Sequence, residues 1–260
     1  LNASHLKLVV EPPNCTATIT NRDPFESYEE YCQNAPEYQD MEHAMQQFIF
    51  KFSGGRKGES IADIHNEQII AFTKLMDSML ENSSELSTEI QSQLVTYTEV
   101  MKSEYKLTLA KAEQMMTKDI PDDKNWNGIK DFRSSVSVGP KQLNNIEPPN
   151  VLVKIWDEFK NTPPYVNSVK GIEEFFQLKK NPIYPEQPYY KHQKVTAIYN
   201  MLNTLGYYPD SNVHKERRFT AAMSDNSHAS IASFSNVLLS NDESFIKRLG
   251  LLMNTLKYLR

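Results

Sequence analysis

The sequence is poor in cysteine and glycine and has no long apolar run, and each shortage excludes a class of protein. Two cysteines and eight glycines are too few for a disulfide scaffold or for a turn-dense all-β sandwich. No apolar stretch approaches the roughly 18 residues that a membrane span needs. With 260 residues, of which 39% are hydrophobic, the chain can bury a core without disulfide or metal cross-links. We therefore expect a folded, soluble, mainly helical protein.

The net charge bears on which partners the protein binds, and the two cysteines bear on its cellular compartment. A formal net charge of -5 disfavours a broad nucleic-acid-binding surface and suits an acidic site for a metal ion. Because no signal peptide precedes Cys15 and Cys32, we expect a cytoplasmic protein with reduced thiols. A disulfide between them, together with the glycosylation sequons at Asn2, Asn14 and Asn82, would instead indicate a secreted or host-directed effector.

Apolar periodicity predicts a chain that is helical in its middle, with short strands near its ends. A β-branched run predicts a strand over residues 6–11, ended by Pro12 and Pro13. Three-to-four spacing predicts a helical hairpin over residues 60–118, followed by a long polar loop over residues 119–150. Further helices are predicted over residues 148–159, 163–178, 190–205, 224–234 and 242–260, with a strand over residues 236–239.

The final third of the chain carries acids whose spacing indicates a site. On a helix that begins at Ser224, Asp225 and His228 lie near one face, and the following strand brings Asp242 to its carboxyl end. Carboxylates brought together repel unless a pKa rises or a divalent cation binds. Mg²⁺ or Mn²⁺ held there would activate water for phosphodiester cleavage. The alternative is structural, because Ser224 and a Ser-x-x-Glu box at residues 240–243 also predict helix caps.

Residues 190–260 resemble the C-terminal end of a group of bacterial PIN-like proteins. The shared pattern is a Leu-Gly-Tyr turn at residues 205–207, a Ser-Asp-x-x-His helix start at residues 224–228 and a strand that ends in Ser-Asn-Asp at residues 240–242. The resemblance implies an α/β fold, predominantly helical, in which helices flank a small parallel sheet. It also implies a single domain over residues 1–260 with the hairpin as an insertion. The alternative fold is an all-α helical bundle.

The resemblance further implies an Mg²⁺- or Mn²⁺-dependent endoribonuclease that cleaves single-stranded RNA as a bacterial toxin or anti-phage defence effector. Asp225 and Asp242 match the family's late pair of acids, with His228 beside them as a catalytic residue. Asp63 is a candidate for the mid-chain metal ligand. Glu11 stands where the family's first strand ends in Asp-Thr/Ser-Asn and is a candidate ligand in its place.

Two kinds of partner follow from these patterns. Basic residues near the acids would contact an RNA backbone: Lys215, Arg217, Arg218, Lys247 and Arg248. The second hypothesis is a catalytically inactive helical module whose hairpin over residues 60–118 binds a partner protein, and the departure at the first strand favours it. No membrane partner is expected, and the oligomeric state stays open.

Overall fold

The structure, a computed structural model, describes residues 5–11, 14–20, 23, 26, 29, 36–163, 165–180, 186, 188–235 and 238–255; for residues 5–11, 14–20 and 253–255 it describes the backbone alone. Two strands come first, β1 (His5–Glu11) and β2 (Asn14–Thr20). The helices that follow are α1 (Pro36–Phe52), α2 (Ile61–Glu81), α3 (Thr88–Thr117), α4 (Gly128–Ser135), α5 (Pro140–Leu143), α6 (Val151–Phe159), α7 (Ile172–Phe175), α8 (Lys191–Leu205), α9 (Glu216–Ala232) and α10 (Glu243–Thr255).

The prediction of a PIN-like α/β fold with a small parallel sheet is wrong. In the described part of the chain, β1 and β2 form a two-stranded sheet, and every other regular element is a helix. Two residues connect these strands, whereas parallel strands need a crossover of a dozen or more residues, so the pair is antiparallel. The strand predicted over residues 6–11 exists, but it pairs with the next segment of the chain. The alternative, an all-α bundle, fits the described helices.

Four local predictions also differ from the structure. Of the helix predicted over residues 163–178, only Ile172–Phe175 is helical in the described residues. The helix predicted from Ser224 begins at Glu216, because Phe219 and Ala222 extend its buried face toward the N-terminus. Residues 238–240 are not in a strand, and Leu239 is 91% exposed, so this apolar run does not enter a sheet; residues 236 and 237 lie outside the described residues. The predicted loop over residues 119–150 contains α4 and α5.

The chain divides into two compact units, which we call the N-terminal unit and the C-terminal unit. The N-terminal unit comprises residues 21–128 with residues 1–5, and it contains α1, α2 and α3. The C-terminal unit comprises residues 129–260 with residues 6–20, and it contains α5 to α10. The candidate acids near the C-terminus and the predicted hairpin therefore belong to different units.

Local sequence signals explain where the two hairpin helices begin. Ser60 and Asp63 form a capping box at the start of α2: Oγ of Ser60 accepts from the N–H of Asp63 at 3.1 Å, and Oδ2 of Asp63 accepts from the N–H of Ser60 at 2.7 Å. Ser87 caps α3 through the N–H of Ile90. Although α3 has 30 residues, no helix in the described ranges combines the length and the apolar composition of a membrane span.

The core of the N-terminal unit is small. One cluster of buried apolar residues is formed by Met41, Ala44 and Ala71, with Phe72, Leu75 and Tyr105 packed around them. Four more apolar side chains of the unit are buried: Phe50, Ile61, Ile64 and Met76. Phe72 on α2 stacks on Tyr105 of α3, with 4.3 Å between ring centroids. His65 is buried on α2, stacks on Phe48 of α1 and places Nδ1 3.7 Å from Oε2 of Glu113 on α3. Contacts of Tyr105 and His65 thus join α1, α2 and α3.

The glycine-dense loop over residues 53–58 is held by charges of its own unit. Lys51 is fully buried, and its Nζ donates to the carbonyl oxygens of Arg56, at 3.2 Å, and Lys124, at 2.7 Å. The guanidinium of Arg56 donates to the carboxylates of Glu59 and Glu67. The side chains of Lys51 and Arg56 are therefore engaged within the N-terminal unit.

The C-terminal unit has the larger apolar core. Fully buried side chains come from five of its helices, and they include Leu143 on α5, Ile155 and Phe159 on α6, Val195, Ile198 and Leu202 on α8, Ala229 on α9 and Leu252 on α10. Helix α8 ends at Leu205, the predicted end, and Gly206 follows it in the left-handed conformation with φ 105°. Arg133 donates from Nε to the carbonyl oxygen of Thr204, at 2.9 Å, and from Nη2 to that of Asn203, at 2.6 Å. A cation thus binds the carbonyl end of α8, which positions the turn that leads to Asp210.

Candidate functional site

Asp225 lies in the middle of α9, and other charged groups are close to it. Burial is the main cause that raises the pKa of its carboxyl group, and the negative charges of Asp210 and Asp242 raise it further. Arg248 and His228 oppose that shift. The structure therefore brings the predicted pair Asp225 and Asp242 into one electrostatic cluster, and it adds Asp210, which the sequence analysis did not single out as a site residue.

The guanidinium of Arg248 is the cation of this cluster. Arg248 is fully buried, and both terminal nitrogens donate to the carboxylate of Asp210, with Nη1 2.9 Å from Oδ2 and Nη2 2.5 Å from Oδ1. A bidentate pair of this kind is the geometry in which a buried guanidinium is compensated well. The N–H of Asp210 donates to Oδ1 of Asn203 on α8 at 2.8 Å, so the acid is anchored to that helix.

Tyr199 on α8 completes what we call the acid–arginine cluster: Asp210, Asp225, Asp242, Arg248 and Tyr199. The guanidinium carbon of Arg248 lies 4.2 Å from the ring centroid of Tyr199, within range of a cation–π interaction. The phenol oxygen of Tyr199 and Nε of Arg248 are buried without a hydrogen-bond partner among the described residues. Burial is the main cause that raises the pKa of Tyr199 far above its usual range, so the phenol stays protonated.

Asp242 serves as a helix cap. It immediately precedes α10, and its Oδ1 accepts from the backbone N–H of Phe245 at 2.8 Å. Its own N–H donates to Oγ of Ser240 at 3.1 Å. A helix cap therefore forms at this segment, but the predicted Ser-x-x-Glu box at residues 240–243 is wrong, because Asp242 rather than Ser240 accepts the capping bond.

The cluster as it stands does not suit Mg²⁺ or Mn²⁺. Within the described residues, no group of three or more His, Cys, Asp or Glu side chains could hold a metal ion. The carboxylate of Asp210 is bound by Arg248, and that of Asp242 accepts from a backbone N–H. A hard divalent cation needs several such oxygens directed at one point. The cofactor therefore stays a prediction that this arrangement does not support.

The two remaining candidate ligands lie apart from this cluster in the chain. Asp63 belongs to the N-terminal unit, where the hydroxyl and the N–H of Ser60 hold the pKa of its carboxyl below the usual range. The backbone of Glu11 ends β1, and its side chain lies outside the described residues, as do the side chains of Cys15 and Cys32. Asp63 therefore has a structural role as a cap, and the metal-ligand roles of both acids stay predictions.

The predicted RNA-contacting residues occupy two kinds of environment. Lys215, Arg217 and Arg218 are exposed at and just after the start of α9, and His228 is exposed further along that helix. Lys247 is exposed on α10, with Nζ 5.8 Å from the ring centroid of Tyr208. Arg248 is instead enclosed and paired with Asp210, so its guanidinium is not at the surface for a phosphate.

A second candidate surface lies on α3. Thr98 is the only residue of this helix that is buried within the described part of the chain. We call the following exposed side chains the α3 stripe, because they succeed one another at intervals of three and four residues: Tyr97, Val100, Glu104, Leu107, Lys111 and Met115. The apolar members are 55%, 49%, 54% and 77% exposed for Tyr97, Val100, Leu107 and Met115. Such a row of exposed apolar side chains is typical of an interaction surface.

Comparisons with known proteins identify no relative: no family model, no curated protein and no solved structure matches this chain. They therefore lend no support to the PIN-like resemblance, and the two candidate surfaces remain the guide to function.

Sequence reasoning missed Asp210, Tyr199 and the α3 stripe as parts of candidate surfaces. Asp210 follows the Leu-Gly-Tyr turn, and a charged residue so near a helix C-terminus was the available signal. For the α3 stripe the signal was the spacing of Tyr97, Val100 and Leu107.

Proposed function

We propose that this chain is a helical protein-binding module that binds a partner through the α3 stripe. The observation that carries the proposal is the exposure of apolar side chains along a helix with a single buried residue. Of the large apolar side chains that are exposed in the described residues, six lie on α3: Ile90, Val95, Tyr97, Val100, Leu107 and Met115. No other described helix carries as many exposed large apolar side chains.

The face of α3 that carries Tyr105 is already covered by α2. It packs on α2 and stacks Tyr105 on Phe72, so the exposed row is not needed for the hairpin itself. Covering the exposed half of a Val, Leu or Tyr side chain contributes about 1 kcal/mol, roughly half of what full burial gives. Several such side chains in one row together supply enough apolar contact for a specific partner, whereas a single one does not.

The experiment is site-specific photo-cross-linking in cells that produce the protein. A photoreactive residue replaces Leu107 in the stripe or Ser92, which is exposed on another face of α3. We expect a discrete protein adduct from position 107 and none from position 92. The double substitution Tyr97→Ser and Val100→Ser should abolish the adduct at 107. Equal labelling from both positions, or none from either, refutes the proposal.

A second proposal is cleavage of single-stranded RNA in a toxin or defence setting, centred on the C-terminal unit. The electrostatic coupling of Asp225 with Asp210 and Asp242 favours it, as does the exposed basic start of the same helix, α9, at Arg217 and Arg218. It ranks below the first proposal because the described carboxylates do not form a metal site. The test is to incubate the protein with single-stranded RNA and Mn²⁺ beside Asp242→Asn. Loss of cleavage in the variant supports the proposal, and equal cleavage or no cleavage refutes it.

A further inference from the structure

Glu104 and Lys111 are the two charged members of the α3 stripe. They are seven residues apart, which places them on one face of the helix. Both side chains are exposed, and neither has an ion pair among the described residues. Lys102 differs from them, since its Nζ donates to Asp77 of α2 at 2.6 Å and to Glu99 at 2.8 Å. Glu104 and Lys111 are therefore free to select the charge of whatever binds the stripe.

The order of these charges decides which orientation of a second α3 helix fits. In a parallel, in-register pair, Glu104 meets Glu104 and Lys111 meets Lys111, and both contacts repel. In an antiparallel pair centred between Leu107 and Thr108, Glu104 of each copy lies opposite Lys111 of the other. The stripe therefore pairs both of its charges favourably with a second copy in this antiparallel orientation and neither of them in the parallel, in-register one.

The apolar side chains of the stripe also match in an antiparallel pair centred between Leu107 and Thr108. Val100 and Met115 are equally far from this centre on opposite sides, so each meets the other in the second copy. Leu107 lies beside the two-fold axis and meets its own equivalent. Tyr97 lies opposite Lys118, which is exposed at the end of α3 and can stack its ammonium on the ring. The overlap covers residues 98–117, about 30 Å of helix at 1.5 Å per residue.

We infer that the occupant of the α3 stripe is a second copy of this chain, bound antiparallel through α3 with reciprocal Glu104–Lys111 ion pairs. The inference rests on the proposed function, because it names the partner of the same surface. A two-fold contact of this kind uses one patch twice, which is the commonest arrangement in soluble oligomers.

Sedimentation equilibrium of charge variants tests the inference. Glu104→Lys and Lys111→Glu each replace two attractive contacts by two repulsive ones. For either variant we therefore expect a dimer dissociation constant about tenfold higher than that of the parent. The doubly exchanged chain, Glu104→Lys with Lys111→Glu, should dimerise like the parent. An equimolar mixture of the two single variants should form a heterodimer. Lys106→Glu makes the same charge change on another face of α3 and should leave the dissociation constant unchanged.

Two outcomes overturn the inference and leave the proposed function standing. One is a parent chain that sediments as a monomer at every concentration while the photo-cross-linker at position 107 captures a different protein. The other is a dimer that the single charge variants weaken no more than Lys106→Glu does. If position 107 yields no adduct at all and the parent is monomeric, the proposed function fails as well. Circular dichroism melting of each variant shows that its fold is retained.

Discussion

Replacing Asp210 with Asn tests whether the acid–arginine cluster stabilises the C-terminal unit. The substitution keeps the size of the side chain and removes the charge that compensates the buried guanidinium of Arg248. Removing one partner of a buried ion pair costs about 3 to 5 kcal/mol. The Asp210 side chain is 15% exposed, and the charge of Asp225 still acts near Arg248. We therefore expect the lower end of that range, about 3 kcal/mol, which corresponds to about 6 to 12 °C in Tm for a unit of this size.

Urea unfolding followed by tryptophan fluorescence measures this effect in the right unit. The chain has two tryptophans, Trp126 in the N-terminal unit and Trp156 on α6 in the C-terminal unit. In a Trp126→Phe background the fluorescence of Trp156 reports on the C-terminal unit alone. Asp210→Asn and the parent are then compared for their unfolding midpoints and free energies of unfolding.

A matched control separates the loss of a buried pair from the loss of any carboxylate. Asp157 on α6 makes an exposed ion pair with Lys160, at 2.7 Å, and we expect Asp157→Asn to change the free energy of unfolding by less than about 0.5 kcal/mol. If Asp210→Asn costs no more than this control, the bidentate contact with Arg248 does not stabilise the unit, and the reasoning fails. A similar loss in both variants would lead to the same conclusion.

Three further predictions concern caps and titrating groups. Asp63→Ala removes half of the capping box at α2 and should lower the urea unfolding midpoint of the N-terminal unit. Burial lowers the pKa of His65, so the unfolded chain binds protons more readily below its usual value of about 6.5, and stability should fall as the pH falls through that range. His65→Gln should lose this dependence between pH 7 and pH 5 in urea titrations. For Asp225 the pKa is raised, so the folded state loses stability as the pH rises above the usual value of about 3.9. Asp225→Asn should therefore be more stable than the parent at pH 7 and equal to it at pH 3 in thermal melts.

Local signals predicted much of the helical framework. Ser60 and Gly206 were expected to begin and end helices, and both do so, because a cap needs only the residues next to it. The sequence predicts a late start for the helix that begins at Glu216, because Ser224 is a good capping residue and nothing local shows that Phe219 is buried. Strand partners were the least predictable feature, since a β-branched run gives no information about which segment it will pair with.

The acid–arginine cluster shows why a site of this kind is only partly visible in a sequence. The spacing of Asp225 and Asp242 indicated that they would come together, and their charges do interact in the structure. What the spacing could not show is that Arg248 pairs with Asp210, a residue 38 positions away. When a guanidinium lies among clustered acids, the cluster no longer indicates a metal site, because the guanidinium supplies the positive charge that a divalent cation would otherwise provide. The same acids can thus indicate a metal site in the sequence and an ion pair in the fold.

Helix α3 poses the same problem with apolar residues. Its sequence carries two rows of apolar residues on neighbouring faces, and the three-to-four spacing alone does not show which row is buried. Tyr105 contacts Phe72 of α2, whereas Tyr97, eight residues earlier, is exposed. A helix in water stabilises one apolar face by packing on its own chain, and a second apolar face is stabilised only by a further neighbour. Because α2 covers the first face, the proposed partner is what would cover the second. The alternation of Glu104 and Lys111 within that second row indicates which surface this is, since a helix running the opposite way with the same sequence neutralises both charges at once.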